Sequence, residues 1–161
     1  MRTLARWLGS ITALMLLALA VNARADEEKI PLSKVPDKVL TAVKEKFPGA
    51  KLISASTEKE DGETLYEVAL KYKEQNIDVE LKADGTIVEI EKEIKVEDLP
   101  EAVTSALKDK YSKATFKKAE EVIKKDKLEY YEVVVQIGEN REFEVQVDPK
   151  GKILKDGSKK E

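Results

Sequence analysis

The sequence predicts an α+β fold of two repeats, each a helix packed on an antiparallel sheet of about four strands. The two sheets could also join edge to edge into one. Three observations predict this. A series of apolar positions recurs once, 64 to 66 residues later. Each copy opens with apolar residues at helical spacing and continues with strictly alternating runs. Turn residues punctuate those runs at short intervals.

The duplication is sought first because a missed repeat misreads the whole fold. Val35-Pro36-Asp37 resembles Leu99-Pro100-Glu101 at an offset of 64, and Val39, Val43 and Phe47 match Val103, Leu107 and Tyr111 at the same offset. Tyr66-Glu67-Val68 matches Tyr131-Glu132-Val133 at 65. Val79-Glu80-Leu81 matches Val145-Gln146-Val147, and Gly85 matches Gly151, at 66. The offset grows by one at each of two turns, where insertions are tolerated. The copies run over 30–94 and 95–161, the second with a short charged tail.

Each copy opens with a helix. Val39, Val43 and Phe47 fall at i, i+4 and i+8, so they line one face. Pro36 suits the helix start, where a missing N–H loses nothing, and Pro48-Gly49 stops the helix. In the second copy Ala102, Val103, Ala106, Leu107 and Tyr111 form the stripe. Glu97, Asp98 and Glu101 near its start and Lys108 and Lys110 near its end complement the helix dipole.

Strands follow. A weaker first strand is expected near Lys51–Thr57 and near Thr115–Ile123. Tyr66, Val68, Leu70 and Tyr72 then alternate with Glu67, Ala69 and Lys71, and Ile77, Val79 and Leu81 with Asp78 and Glu80. Asp84-Gly85 signals a tight hairpin into Ile87-Val88. In the second copy Tyr131, Val133, Val135 and Ile137 face inward, then Phe143, Val145 and Val147, and Pro149-Lys150-Gly151 turns into Ile153. The charged ends Asp26–Lys29 and Lys155–Glu161 read as solvated tails.

The N-terminus reads as a secretory signal peptide over 1–25. Arg2 and Arg6 precede an apolar run from Leu8 to Val21, and Ala23-Arg24-Ala25 supplies the small-x-small cleavage pattern. The run is short for a span, which needs about 20 apolar residues, so no stable membrane span is expected after cleavage. Removing Arg2, Arg6 and Arg24 takes the net charge from −3 to −6. An acidic surface excludes nucleic acid as a partner, because phosphate contacts need a basic face. The expected location is therefore exported, either periplasmic or secreted.

Composition also limits the chemistry. With no Cys there is no disulfide framework, thiol nucleophile or cysteine zinc site. With no His the usual general base and commonest transition-metal ligand are missing. Ser33-Lys34 and Ser112-Lys113 are adjacent pairs at helix boundaries and read as caps or turns, not as a catalytic dyad. Glu58–Glu63 and Asp84-Gly85 offer oxygen ligands but do not match a calcium loop. Glu89, Glu91 and Glu93 alternate on one strand face and read as a solvated, mixed-charge surface with Lys92 and Lys95. No catalytic, metal or cofactor residues are expected, and the chain is not expected to be an enzyme.

The ordered series Val35-Pro36, Val39, Val43, Phe47-Pro48-Gly49-Ala50, Tyr66-Glu67-Val68 and Asp84-Gly85-Thr86-Ile87 resembles the PepSY-like family. The fold of that family is similar to the β-lactamase-inhibitor protein. The resemblance covers nearly all the chain after the signal, once per copy. The second copy departs from it, with Ser112-Lys113 in place of Pro48-Gly49 and Lys150-Gly151 in place of Asp84-Gly85. The resemblance implies a helix on a curved antiparallel sheet in each copy and an exported, non-catalytic role. Related domains are thought to restrain peptidases, and the structural cousin inhibits β-lactamases. That cousin is disulfide-bonded and this chain has no Cys, so no functional residues carry over.

One face of the second copy stands out. If Tyr131, Val133 and Val135 point inward, then Tyr130, Glu132, Val134 and Gln136 point outward, joined by Glu144 from the next strand. An aromatic anchor ringed by polar groups suits recognition, and its alternative is packing under a loop or against the other copy. The expectation is an exported, non-catalytic module that binds a protein or peptide of the envelope or medium. Inhibition of a secreted hydrolase is its most concrete form. The competing readings are a passive envelope protein and a small-ligand or cation carrier.

Overall fold

A computed structural model describes residues 27–60 and 62–159. The signal-peptide segment lies outside the described residues. Among them, nine strands form one antiparallel sheet whose spatial order follows the chain, β1 to β9. The first half holds β1 (Glu28–Ile30), α1 (Asp37–Lys46), β2 (Lys51–Glu60), β3 (Glu63–Tyr72), β4 (Gln75–Lys82) and β5 (Ile87–Ile94). The second holds α2 (Glu101–Lys110), β6 (Ala114–Lys124), β7 (Lys127–Ile137), β8 (Arg141–Val147) and β9 (Ile153–Asp156). A short 3-10 turn precedes each helix.

Both helices lie on one face of the sheet, each over its own core. Val39 and Val43 of α1 pack with Val68, Ile77, Val79 and Leu81. Val103 and Leu107 of α2 pack with Val133, Val135, Phe143 and Val145. All four helix residues are fully buried, as the i, i+4 spacing requires. Edge-on aromatic pairs close the two cores, Phe47 on Tyr72 at 5.6 Å and Tyr111 on Phe143 at 5.4 Å.

The sheet is continuous because β5 pairs with β6, from Ile90 opposite Ile123 to Ile94 opposite Ala119. β5 serves both cores. Ile90 belongs to the first, and Ile94 packs against the second. Bulges interrupt β2 at Ile53, β6 at Lys117 and β7 at Glu129. Each bulge bends its strand and adds twist, so the sheet curls away from the helices.

Both charged ends differ from the solvated tails expected of them. Glu28–Ile30 pairs with Ala55–Thr57 as the first edge strand. A three-residue strand carries too little alternation to read in sequence. At the other end Asp156 closes β9, where it accepts a hydrogen bond from the Tyr111 hydroxyl at 2.6 Å and pairs with Lys110 at 2.8 Å. Burial opposes its charge, but hydrogen bonds from Lys110, Ser158 and Tyr111 outweigh burial and hold the carboxyl below the usual range. Burial and Asp156 together push the Tyr111 hydroxyl up to about 12.

The β3–β4 turn places Lys73 and Glu74 at φ 49° and 66°. Residues with a Cβ are strained there, and this hairpin geometry favours Asn-Gly. Replacing the pair with Asn-Gly is expected to raise stability by about 1 kcal/mol in urea melts. The exposed Lys71–Glu74 pair that is lost contributes little.

Candidate functional site

Opposite residues in an antiparallel ladder share a face, so register fixes what lies on the side away from the helices. Ser56, Glu67, Glu80 and Glu89 make one cross-strand row. Asp78, Glu91, Val122 and Tyr130 make the next. Glu93, Glu120, Glu132, Gln146 and Lys155 make a third. The face is concave, because one cavity of about 400 Å³ is lined from strands as far apart as β2 and β9. Glu58 and Glu60 stand on one side of it, Tyr130, Gln146 and Lys155 on the other.

Carboxylates therefore meet carboxylates in the middle of the sheet: Glu67 opposite Glu80 opposite Glu89, Asp78 opposite Glu91, and Glu93 opposite Glu120 opposite Glu132. Like charges directly opposite destabilise a ladder. Nor are the central acids of this face solvated as the alternation of Glu89, Glu91 and Glu93 suggests. Glu89 and Glu120 are each only 5% exposed. Alternation tells which residues share a face, but not that the face curls inward.

Two lysines answer part of the charge. Lys124 pairs with Glu89 at 2.5 Å, and Lys118 with Glu120 at 2.8 Å. Burial works against both ammonium groups, but the partner carboxylates still hold them charged above the usual lysine range. Burial, with Glu120, Glu132 and Glu89 around it, pushes the Glu91 carboxyl up to about 9. Burial also raises Asp78 and Glu120, with Lys118 opposing it in both.

Glu91 therefore carries a proton at neutral pH and donates it toward Glu89. Carboxylate oxygens of Asp78, Glu91 and Glu120 come within 4.8 Å of one another. That convergence suits a shared proton or an arriving cation. The loops first weighed for calcium do not join it. Glu63 pairs with Lys82 at 2.7 Å, and Asp84 accepts the Thr86 N–H at 2.9 Å within its own turn.

The residues singled out in the second copy do share the concave face. Glu132 is half-buried and accepts a hydrogen bond from Gln146 at 2.9 Å. Val134 is half-buried between Lys118 and Glu144 in the ladder. Gln136 reaches back to the Glu139 carbonyl at 3.4 Å. Of the two alternatives for Tyr130, exposed anchor or packed side chain, the structure has the packed one. Tyr130 is 9% exposed, lies opposite the fully buried Val122, and has the Lys124 ammonium 5.7 Å from its ring centre. The bulge at Glu129, the residue before it on β7, and the curl of the sheet turn its ring into the wall of the cavity.

The fold and this face can be set beside known proteins. A family model described as "Putative beta-lactamase-inhibitor-like, PepSY-like" matches residues 21–89 and 64–155. No curated protein matches the chain. Among solved structures, a DUF2874-family protein from Bacteroides uniformis is similar at 17% identity and a TM-score of 0.63, covering 74% of this chain and 86% of its own. A protein from Bacteroides eggerthii, described as putative periplasmic, gives 19% identity and a TM-score of 0.61, with 75% and 86% covered. A BLIP-like protein from Bacteroides fragilis gives 17% and 0.58, with 78% and 85% covered. At these identities the likeness is one of fold. Among the described residues no helix is long and apolar enough to cross a membrane.

Proposed function

The chain belongs to the β-lactamase-inhibitor-like, PepSY-like family, and we propose that it is a non-catalytic envelope module that holds a protein partner on the concave face of its sheet. The observation that carries this reading is the set of facing carboxylates in the centre of that face. They oppose folding, and a purely passive protein has no use for them. Local rules are broken most often at functional sites, where binding repays the stability lost. A curved wall with a half-buried polar rim also gives the shape complementarity a protein partner needs.

Residues 1–25 act as the signal peptide, and the chain is exported to the periplasm or medium. The segments 30–94 and 95–161 are two copies of one unit, with β5 lent to both cores. The interaction face in the second copy includes Glu132, Val134, Gln136 and Glu144, with Tyr130 as wall and not as anchor. Inhibition of a secreted or periplasmic hydrolase is the form the function takes.

The test is competition for the face. Gln146→Trp fills the cavity without changing charge, and Thr41→Trp places the same ring on the exposed side of α1. Immobilised wild type and Thr41→Trp should retain one stoichiometric partner from envelope or secreted fractions of the host, and Gln146→Trp should not. A retained hydrolase should lose activity when the free protein is added. Equal retention by all three would overturn the reading.

A further inference from the structure

Resting on the reading above, we infer that the partner segment seated on the concave face is basic: an extended peptide stretch whose Lys or Arg side chains lie over the carboxylate rows of β3 to β7.

Charge complementarity is the first support. Across those strands the three rows carry eight carboxyl groups, with Lys118 and Lys124 beside them on β6. Those lysines pair with Glu120 and Glu89 respectively, while Glu93 and Glu132 meet only the neutral amides of Asn76 and Gln146 among their side-chain hydrogen bonds, so the face stays acidic. A nucleic acid or acidic peptide would be repelled from it.

Extent and shape are the second support. The rows cross five strands about 4.8 Å apart, and neighbouring rows are separated by two residues, roughly 6.6 Å. A point cation would engage only the Asp78, Glu91 and Glu120 trio. A chain with alternate cationic side chains repeats at the same roughly 6.6 Å and can engage several rows together. The cavity of about 400 Å³ is open and charged along its wall, with Lys124, Tyr130 and Gln146 at its side. That lining offers salt bridges and hydrogen bonds to a peptide and little grip to a lipid-like ligand.

Protonation adds a signature. The groups around Glu91 are Glu67 on β3, Asp78 and Glu80 on β4, Glu120 on β6, Glu132 on β7, and Glu89 on its own strand. With that environment the free face stores a proton on Glu91. A cationic side chain placed there favours the charged carboxylate and expels the proton. Binding therefore releases protons and tightens as pH rises from about 7 toward about 9.

The experiment is a titration with a labelled octapeptide of alternating Lys and Ser, beside its Gln–Ser counterpart and spermine, in calorimetry buffers of differing ionisation enthalpy. The Lys peptide should bind with proton release, and the Gln peptide should not bind. Asp78→Asn/Glu80→Gln/Glu91→Gln should weaken binding about tenfold or more and abolish the proton release. The control Glu97→Gln/Asp98→Asn/Glu101→Gln, which removes at least as much charge on the exposed helix side, should change affinity by less than about twofold.

Equal losses in the two triple variants would overturn the inference, as would no binding of the Lys peptide. Spermine binding as tightly as the peptide would overturn the peptide assignment. The two readings separate cleanly. If the captured partner is lost with Gln146→Trp but indifferent to the Asp78, Glu80 and Glu91 changes, the face stands and its basic occupant falls. If Gln146→Trp has no effect on the partner, the face itself is wrong.

Discussion

Glu91→Gln is expected to stabilise the protein by roughly 2–3 kcal/mol at pH 7. The cause is the central carboxylate rows. Unfolded, Glu91 titrates near its ordinary value of 4.5, and folded it holds its proton up to about 9. Between those values the folded chain binds more protons than the unfolded chain, so stability falls as pH rises. The favourable end lies below about 4.5, and the full penalty is reached above about 9. Glutamine keeps the shape and the hydrogen-bonding capacity without the titration. Thermal melts from about pH 5 to about pH 9 should show the wild-type midpoint falling steadily and the variant curve markedly flatter. Parallel curves would mean that Glu91 is charged and solvated.

Gly151→Ala is expected to lower stability by roughly 3 kcal/mol, about 10 °C in midpoint. Two effects combine. Gly151 sits at φ +85°, where a side chain is strained, and an added Cβ would lie 2.4 Å from the Ala102 carbonyl oxygen. The turn before β9 thus presses its backbone against the first turn of α2, and only glycine permits that approach. Gly85 is placed in the same way in the first half, where an added Cβ would lie 2.8 Å from the Lys38 carbonyl oxygen. Gly138→Ala separates the two effects. Gly138 has φ +66° but open space around it, so that change should lower stability by only about 1 kcal/mol. Equal losses at Gly138 and Gly151 would show that the contact with α2 contributes nothing.

Much of the architecture was legible because apolar periodicity is a direct record of burial. Val39, Val43, Val103 and Leu107 fell on the helix stripes and are fully buried. Asp84-Gly85 turned where expected, with the Gly85 N–H donating to the Lys82 carbonyl at 2.9 Å. Less visible were elements whose cause is tertiary. Lys73-Glu74 and Lys125-Asp126 form tight turns with positive φ but carry neither Gly nor Asn. Their long flanking ladders impose the geometry that the turn residues do not favour. Asp156 looked like a solvated tail residue until Tyr111 and Lys110 from the second core claimed it.

The site was half legible for the same reason. Alternation correctly grouped Tyr130, Glu132, Val134, Gln136 and Glu144 on one face. It could not show that bulges in β2, β6 and β7 would curl that face, nor that β5–β6 pairing would bring Glu91 against Glu120 and Asp78. Facing acids on separate strands are invisible until register is known. The useful signal was the density of carboxylates at outward positions of consecutive strands, beyond what solubility needs.

The account turns on the concave face as the surface that meets the partner, and amide-resolved NMR during titration with the Lys–Ser octapeptide tests this most directly. Shifts should concentrate at Glu80, Glu91, Glu120 and Glu132 and their ladder neighbours, with α1 and α2 silent. Shifts spread over the helices and turns, leaving β4 to β7 unmoved, would contradict it.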